Sequence, residues 1–295
     1  MSLPTTPQTI LLIIVAVAMV LLAAVLLTVI TLLIVAFAVF LFFIAPSKKR
    51  KAEMREFAKY RYAHRGLHSD TVAENSLTAF KNAVEKGYGI ELDVRLTHDG
   101  ELVVFHDETL DRVTVAVGKV NEKDYAEICD LKLKNTEDTI PKLSDVLKLV
   151  DGKVPLLIEL KEASGEYCVT ESTLKALEGY EGKYMIESFN PLALGHVKKH
   201  APKVLRGVLS MNFLKEKKYR TTTYFVLQNF LLNAVARPDF IAYDHNQHKN
   251  FMFKFIKKLF RPVTIAWTLR SQESEDLAFA HGFNSVIFEY YLPEA

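Results

Sequence analysis

Residues 90–107 read IELDVRLTHDGELVVFHD: an apolar run with two acids two positions apart, an Asp-Gly pair, and a second apolar run ending on a histidine. Side chains in a strand alternate between faces, so Glu91 and Asp93 point to one side. Asp99-Gly100 is a two-residue hairpin signal. With that loop, residues 98 and 101 pair, 102–105 returns antiparallel along the first run, and His106 lies across from Asp93. Two carboxylates on one face at a strand end repel each other unless a cation neutralises them, and Mg2+ and Ca2+ prefer such oxygens. Glu91 and Asp93 therefore point to a metal site.

On either side of this stretch, short β-branched or apolar runs alternate with helical patterns, the signature of a parallel sheet wrapped by helices. Strands are expected near 60–63, 89–96, 102–105, 154–160, 184–188, 205–209, 239–243, 263–268 and 285–288. Helices are expected at 76–86, 144–150, 170–178, 191–200, 221–236, 251–260 and 273–281. With 102–105 set aside as a return strand, the pattern fits one (β/α)8 TIM barrel over residues 59–295. The active face of such a barrel is formed by the C-terminal ends of its strands, so acids there converge.

Glu159, in Ile158-Glu159-Leu160-Lys161, adds a third acid at a strand end, with Lys161 on the same side. The first strand ends in His64-Arg65-Gly66, and a guanidinium grips phosphate through parallel hydrogen bonds. His64 and His106 make a pair in which one imidazole accepts a proton from an attacking oxygen and the other donates to a departing one.

These residues resemble the glycerophosphodiester phosphodiesterases, within the phospholipase-C-like barrel phosphodiesterases. The match consists of His64-Arg65-Gly66, Glu74-Asn75-Ser76 followed by Ala79-Phe80, Glu91-Leu92-Asp93, His106-Asp107, Glu159-Leu160-Lys161, Ser188-Phe189 and Trp267-Thr268, in family order. The resemblance implies that His64 and His106 are general acid and base, and that Glu91, Asp93 and Glu159 hold a divalent ion, Mg2+ or Ca2+. It also implies that Arg65 and Lys161 contact the phosphate, and that Glu74, Asn75 and Trp267 shape the site. Two positions depart from the family pattern: Ala73 replaces the usual proline, and Phe288-Glu289 stands where Thr-Asp is usual. The implied reaction is hydrolysis of a glycerol-linked phosphodiester to glycerol phosphate and an alcohol.

The first 47 residues contain no charged side chain, and 10–45 is an apolar block whose only polar members are Thr28 and Thr31. The block exceeds the roughly 20 residues that cross a bilayer core. It is expected as a retained anchor, one tilted span or two short ones, between a tail at 1–9 and a basic linker at 46–58. The cluster Lys48-Lys49-Arg50-Lys51 places the catalytic domain on the cytoplasmic side by the positive-inside tendency. A net charge of +2 gives no hint of nucleic acid, and two cysteines give no disulfide framework.

His245 and His248 are expected at the surface or at the rim of the site, and His196 and His200 on an exposed helix face. The basic, apolar stretch 251–260 is expected to cover the barrel, with membrane lipid as the lesser alternative. Two rivals follow: a lysophospholipase D acting on lysophospholipid substrates, and a non-catalytic protein that binds lipid headgroups.

Overall fold

The computed structural model describes residues 6–134, 136–163 and 165–294; most of the expected N-terminal tail, residues 1–5, lies outside them. It divides into two units, Met1–Phe43 and Ile44–Ala295. The first is nearly all of helix α1 (Pro7–Ile44), uninterrupted over 38 residues. It begins ahead of the apolar block because the Thr6 hydroxyl accepts from the Thr9 amide at 3.4 Å and Pro7 fills the first turn. Thr28 and Thr31 return their hydroxyls to the carbonyls of Ala24 and Leu27 at 2.9 and 2.8 Å, so the two polar side chains of the apolar block are satisfied within the helix. By length and composition α1 can cross a membrane.

The second unit is a closed barrel of eight parallel strands: β1 (Tyr62–Ala63), β2 (Gly89–Leu96), β4 (Leu156–Leu160), β5 (Tyr184–Ser188), β6 (Leu205–Ser210), β7 (Phe240–Asp244), β8 (Val263–Leu269) and β9 (Ser285–Phe288). Strand β1 pairs with both β2 and β9 and so closes the ring. Strand β3 (Leu102–Val104) pairs antiparallel with β2, as the hairpin signal predicted.

The hairpin register differs from the two-residue expectation. Val94 pairs with Val104, Arg95 with Val103 and Leu96 with Leu102. The loop holds three residues, His98 to Gly100, because the Thr97 hydroxyl accepts from the Glu101 amide at 2.9 Å and Gly100 takes a left-handed φ of +82°. Phe105 therefore bonds to the Asp93 carbonyl at 3.0 Å, and His106 lies one residue beyond.

Helices α3 (Leu77–Glu85), α5 (Leu143–Val150), α6 (Cys168–Ala176), α7 (Pro191–His200), α10 (Phe251–Phe260) and α11 (Gln272–Ala280) follow the expected spans. The apolar stretch 221–236 does not form one helix. It breaks into α8 (Thr222–Gln228) and α9 (Asn233–Ala236) at Phe230, whose φ is +58° and whose ring is buried near Tyr243. A short helix α4 (Tyr125–Ile128) lies in the long β3–α5 connection.

The basic stretch expected as a linker is instead pinned to the barrel. Residues Lys51–Phe57 form α2, which drives Met54 and Phe57 into the core beside Tyr62, Leu157, Met185, Leu205, Phe240 and Val263. Arg50 pairs with the buried Asp239 and also donates to the carbonyls of Lys203 and Val204. Ile44 and Ala45 offer their carbonyls to Asn233 and Arg237, each at 2.9 Å. Higher on the inward face of β6, Gly207 makes room for the Phe240 ring, which a Cβ there would meet at 2.1 Å.

Arg50→Ala removes one partner of a buried charge while Arg206, 3.9 Å from Asp239, remains. We expect a loss of about 3 kcal/mol of stability, read as a lowered midpoint of thermal melting in detergent.

Candidate active site

Alternation sorts the barrel interior into levels. Parallel register sets Glu91 beside Leu157, Asp93 beside Glu159, and Glu159 beside Glu187. The apolar level is thus succeeded, toward the C-terminal ends of the strands, by acids. Glu91, Asp93 and Glu159 are all buried, and each offers an oxygen within 4.8 Å of the other two.

Such a cluster forces its charges to be managed. Burial, with Asp93 and Glu159 alongside, pushes the Glu91 carboxyl well above its ordinary range. Burial likewise raises Glu159, against the pull of Lys161. Burial works upward on Asp93 too, but Lys161, His106 and Arg65 together hold it well below its usual value. The Lys161 ammonium bridges Asp93 and Glu159 at 2.9 and 2.7 Å. Glu187, buried beside Glu159, is pushed well up by burial and by Glu91 and Glu159, and its Oε2 has no hydrogen-bond partner.

The β1–α3 loop wraps this cluster with backbone as well as side chains. Arg65 adopts φ +55°, which turns its amide onto Glu91 Oε2 at 2.9 Å. Its guanidinium bonds Glu74 at 2.8 Å and lies 3.5 Å from Asp93. Gly66 lets the loop touch α3, since a Cβ there would come within 2.8 Å of the Ala79 Cβ. Asn75, also at positive φ, donates to Asp93 Oδ2 at 2.8 Å. Burial would raise Glu74, yet bonds from Arg112 and Arg65 bring it down to about 2.

The two histidines are each held through Nδ1 by a carboxylate. His64 Nδ1 lies 2.6 Å from Glu289, and its Nε2 lies 4.0 Å from Glu91. His106 Nδ1 lies 2.6 Å from Asp107, which Arg112 also engages. Burial lowers His64 despite Glu289, and lowers His106 to about 4 against the opposing pull of Asp93. A carboxylate on Nδ1 fixes the tautomer that leaves Nε2 free to take a proton.

All the residues singled out from sequence between 64 and 161 thus fall on one rim of the barrel. Trp267 stands edge-on to Phe189, their ring centres 5.7 Å apart. His248 stacks on His281 at 3.8 Å. His196, expected on an exposed face, is enclosed between Tyr167 and His200 and pairs with Glu171 at 3.2 Å.

Sequence reading assigned no role to four contributors. Glu187 was signalled by its position two residues beyond Met185 on an inward-facing strand. Asp107 and Arg112 lie in a loop with no period to read. Glu289 was noticed only as a departure from a family pattern. In the fold it joins His64, His68 (3.5 Å) and Arg270 (2.7 Å), and these bonds hold its carboxyl far below the usual range although burial opposes them.

A cavity of about 940 Å3 opens beside Glu159 and Lys161, with Phe189 and Tyr224 among its walls. The donor set at its edge fits a hard cation: three buried carboxylate groups, two of them bridged by the Lys161 ammonium, and an orphaned Glu187 carboxyl oxygen on the strand beside Glu159.

Comparison with known proteins agrees with this arrangement. The model of the glycerophosphoryl diester phosphodiesterase family matches residues 64–291. A glycerophosphodiester phosphodiesterase of Caldanaerobacter subterraneus subsp. tengcongensis is 44% identical over 158 residues, half of this chain and 65% of that relative, so the alignment spans just under two thirds of its length. Among solved structures, an Oleispira antarctica phosphodiesterase in complex with the product sn-glycerol-3-phosphate superposes with a TM-score of 0.67 at 22% identity, covering 80% of this chain and 94% of that one. A glycerophosphodiester phosphodiesterase from Thermotoga maritima gives 0.60 at 25% identity, covering 78% and 94%. With a site of this composition on a barrel of this topology, and a family match over most of its length, the chain belongs to the glycerophosphoryl diester phosphodiesterase family, a family of phosphoric diester hydrolases.

Proposed function

We propose that the protein is a membrane-anchored glycerophosphodiester phosphodiesterase that hydrolyses glycerol-linked diesters to glycerol phosphate and an alcohol. The observation that carries this reading is the pair of imidazoles, each oriented by a carboxylate on Nδ1, facing the Glu91–Asp93–Glu159 cluster. In the site His64 and His106 exchange protons with the attacking and departing oxygens, each through Nε2. Glu289 and Asp107 hold the rings in place and stabilise the imidazolium forms.

Arg65 and Lys161 bind the phosphoryl oxygens, and Glu74 and Asn75 fix Arg65 and Asp93 in turn. Glu91, Asp93 and Glu159 would hold Mg2+ or Ca2+, whose charge would offset that developing on the phosphoryl oxygens. The P–O bond to the alcohol breaks, and the incoming oxygen comes from water or from a free hydroxyl of the glycerol, the latter giving a cyclic phosphate that water then opens to glycerol phosphate. Helix α1 serves as a retained anchor, with the barrel on the cytoplasmic side, so that the tether raises the local concentration of membrane-derived diesters.

His64→Ala and His106→Ala should each lower turnover of glycerophosphocholine by a factor of about 100 or more, with metal affinity retained. EDTA should abolish turnover of the wild type, and added Mg2+ or Ca2+ should restore it. Full activity in either variant, or in EDTA, contradicts the assignment.

The depressed His106 also makes stability depend on pH. Between its ordinary value near 6.5 and the folded value of about 4, the unfolded chain binds a proton that the folded site refuses. Stability is therefore lost as pH falls through that window, and the melting temperature of His106→Gln should drop less between pH 7 and pH 4 than that of the wild type.

The intact mass of protein extracted from membranes should include α1. Recovery from the soluble fraction of a chain lacking it would identify a removed leader instead.

A further inference from the structure

Arg95 lines the cavity beside the acid cluster, in the field of Asp93, Glu159, Glu108 and Asp107 but, among the described residues, in salt-bridge contact with none of them. Arg95 follows Asp93 by two residues on β2, so it faces the same side about 6.6 Å farther along the strand. Its Nε donates to the His106 carbonyl at 2.9 Å, which fixes the guanidinium plane. Its terminal nitrogens make no ion pair among the described residues.

Three of the four glutamates that line the cavity are already engaged, and the fourth, Glu166, is exposed. Glu108 pairs with Lys119 at 2.9 Å, Glu162 accepts from the Thr170 amide at 2.7 Å, and Glu159 is held by Lys161.

The position of Arg95 decides which anion. Arg65 and Lys161 lie 3.5 and 2.9 Å from Asp93, at the level of the phosphate to be cleaved. Arg95 is one strand step beyond, where the cavity takes the rest of the substrate. A half-fixed guanidinium fork matches a carboxylate or phosphate through two parallel hydrogen bonds and gains little from a cationic or neutral group.

We propose that Arg95 is a specificity determinant that binds an anionic group, a carboxylate or a second phosphate, on the alcohol portion of the diester. This rests on the phosphodiesterase reading of the adjoining site.

The test is steady-state kinetics of the full-length protein, in detergent with Mg2+ or Ca2+, on three diesters. Glycerophosphoserine carries a carboxylate, bis(glycerophospho)glycerol a second phosphate, and glycerophosphocholine a cation. Wild type should show a lower KM for at least one anionic diester than for the choline diester. Arg95→Gln should lower the anionic-to-choline ratio of kcat/KM by about 10-fold or more, through KM, and Arg95→Lys should recover much of it.

The two anionic arms distinguish carboxylate from phosphate. A wild-type preference for the choline diester overturns the inference. So does an equal loss on all three diesters in Arg95→Gln, which would make Arg95 a support for the His106 loop while hydrolysis itself upholds the phosphodiesterase reading. If wild type cleaves none of the three, both fall together.

Discussion

Mutual repulsion among buried carboxylates is the constraint around which the catalytic end of this barrel is arranged. Glu91, Asp93 and Glu159 converge with less than 5 Å between their oxygens, and Glu187 lies beside Glu159 on the next strand. Charges so close in a poorly solvated interior are costly unless opposed. The fold opposes them with Lys161, the Arg65 guanidinium and amide, and the Asn75 side chain. Two of these residues, Arg65 and Asn75, adopt positive φ to do so. Backbone strain of that kind persists where the surroundings demand it and clusters at functional sites.

The same logic extends outward through a second ring of charge. Glu74 is held by both Arg65 and Arg112, Arg112 reaches Asp107, and Asp107 orients His106. On the opposite side Glu289 gathers His64, His68 and Arg270. Each imidazole is thus tied to the cluster through a chain of ion pairs. Displacement of one member would alter the protonation of the next, and burial lowers the pKa of both rings.

Much of this was readable because short-range rules govern it. The period-2 alternation of IELDV and of IELK placed Glu91, Asp93, Glu159 and Lys161 on inward faces, and the Asp-Gly pair announced the return strand. What escaped was set by tertiary context. A hydroxyl at Thr97 capturing the Glu101 amide lengthened the turn by one residue, and no propensity encodes that choice. The basic segment after α1 looked like a solvated tether, yet Asp239, nearly 190 residues away, claims Arg50, and the open base of the barrel claims Met54 and Phe57. The run 221–236 has helical composition throughout, but burial of Phe230 near Tyr243 favours a break. Glu289 and Asp107 lay at the termini of elements, where a single acid gives no pattern until the histidine it serves is known.

The central claim is that Glu91, Asp93 and Glu159 form one cation site between the two imidazoles. It is tested most directly by the anomalous difference density of crystals grown with Ca2+. One peak within about 2.3–2.6 Å of oxygens from all three carboxylates is the result this account predicts. A cation bound instead at His68 and Glu289, or density that leaves Lys161 bridging Asp93 and Glu159 at saturating Ca2+, would contradict it.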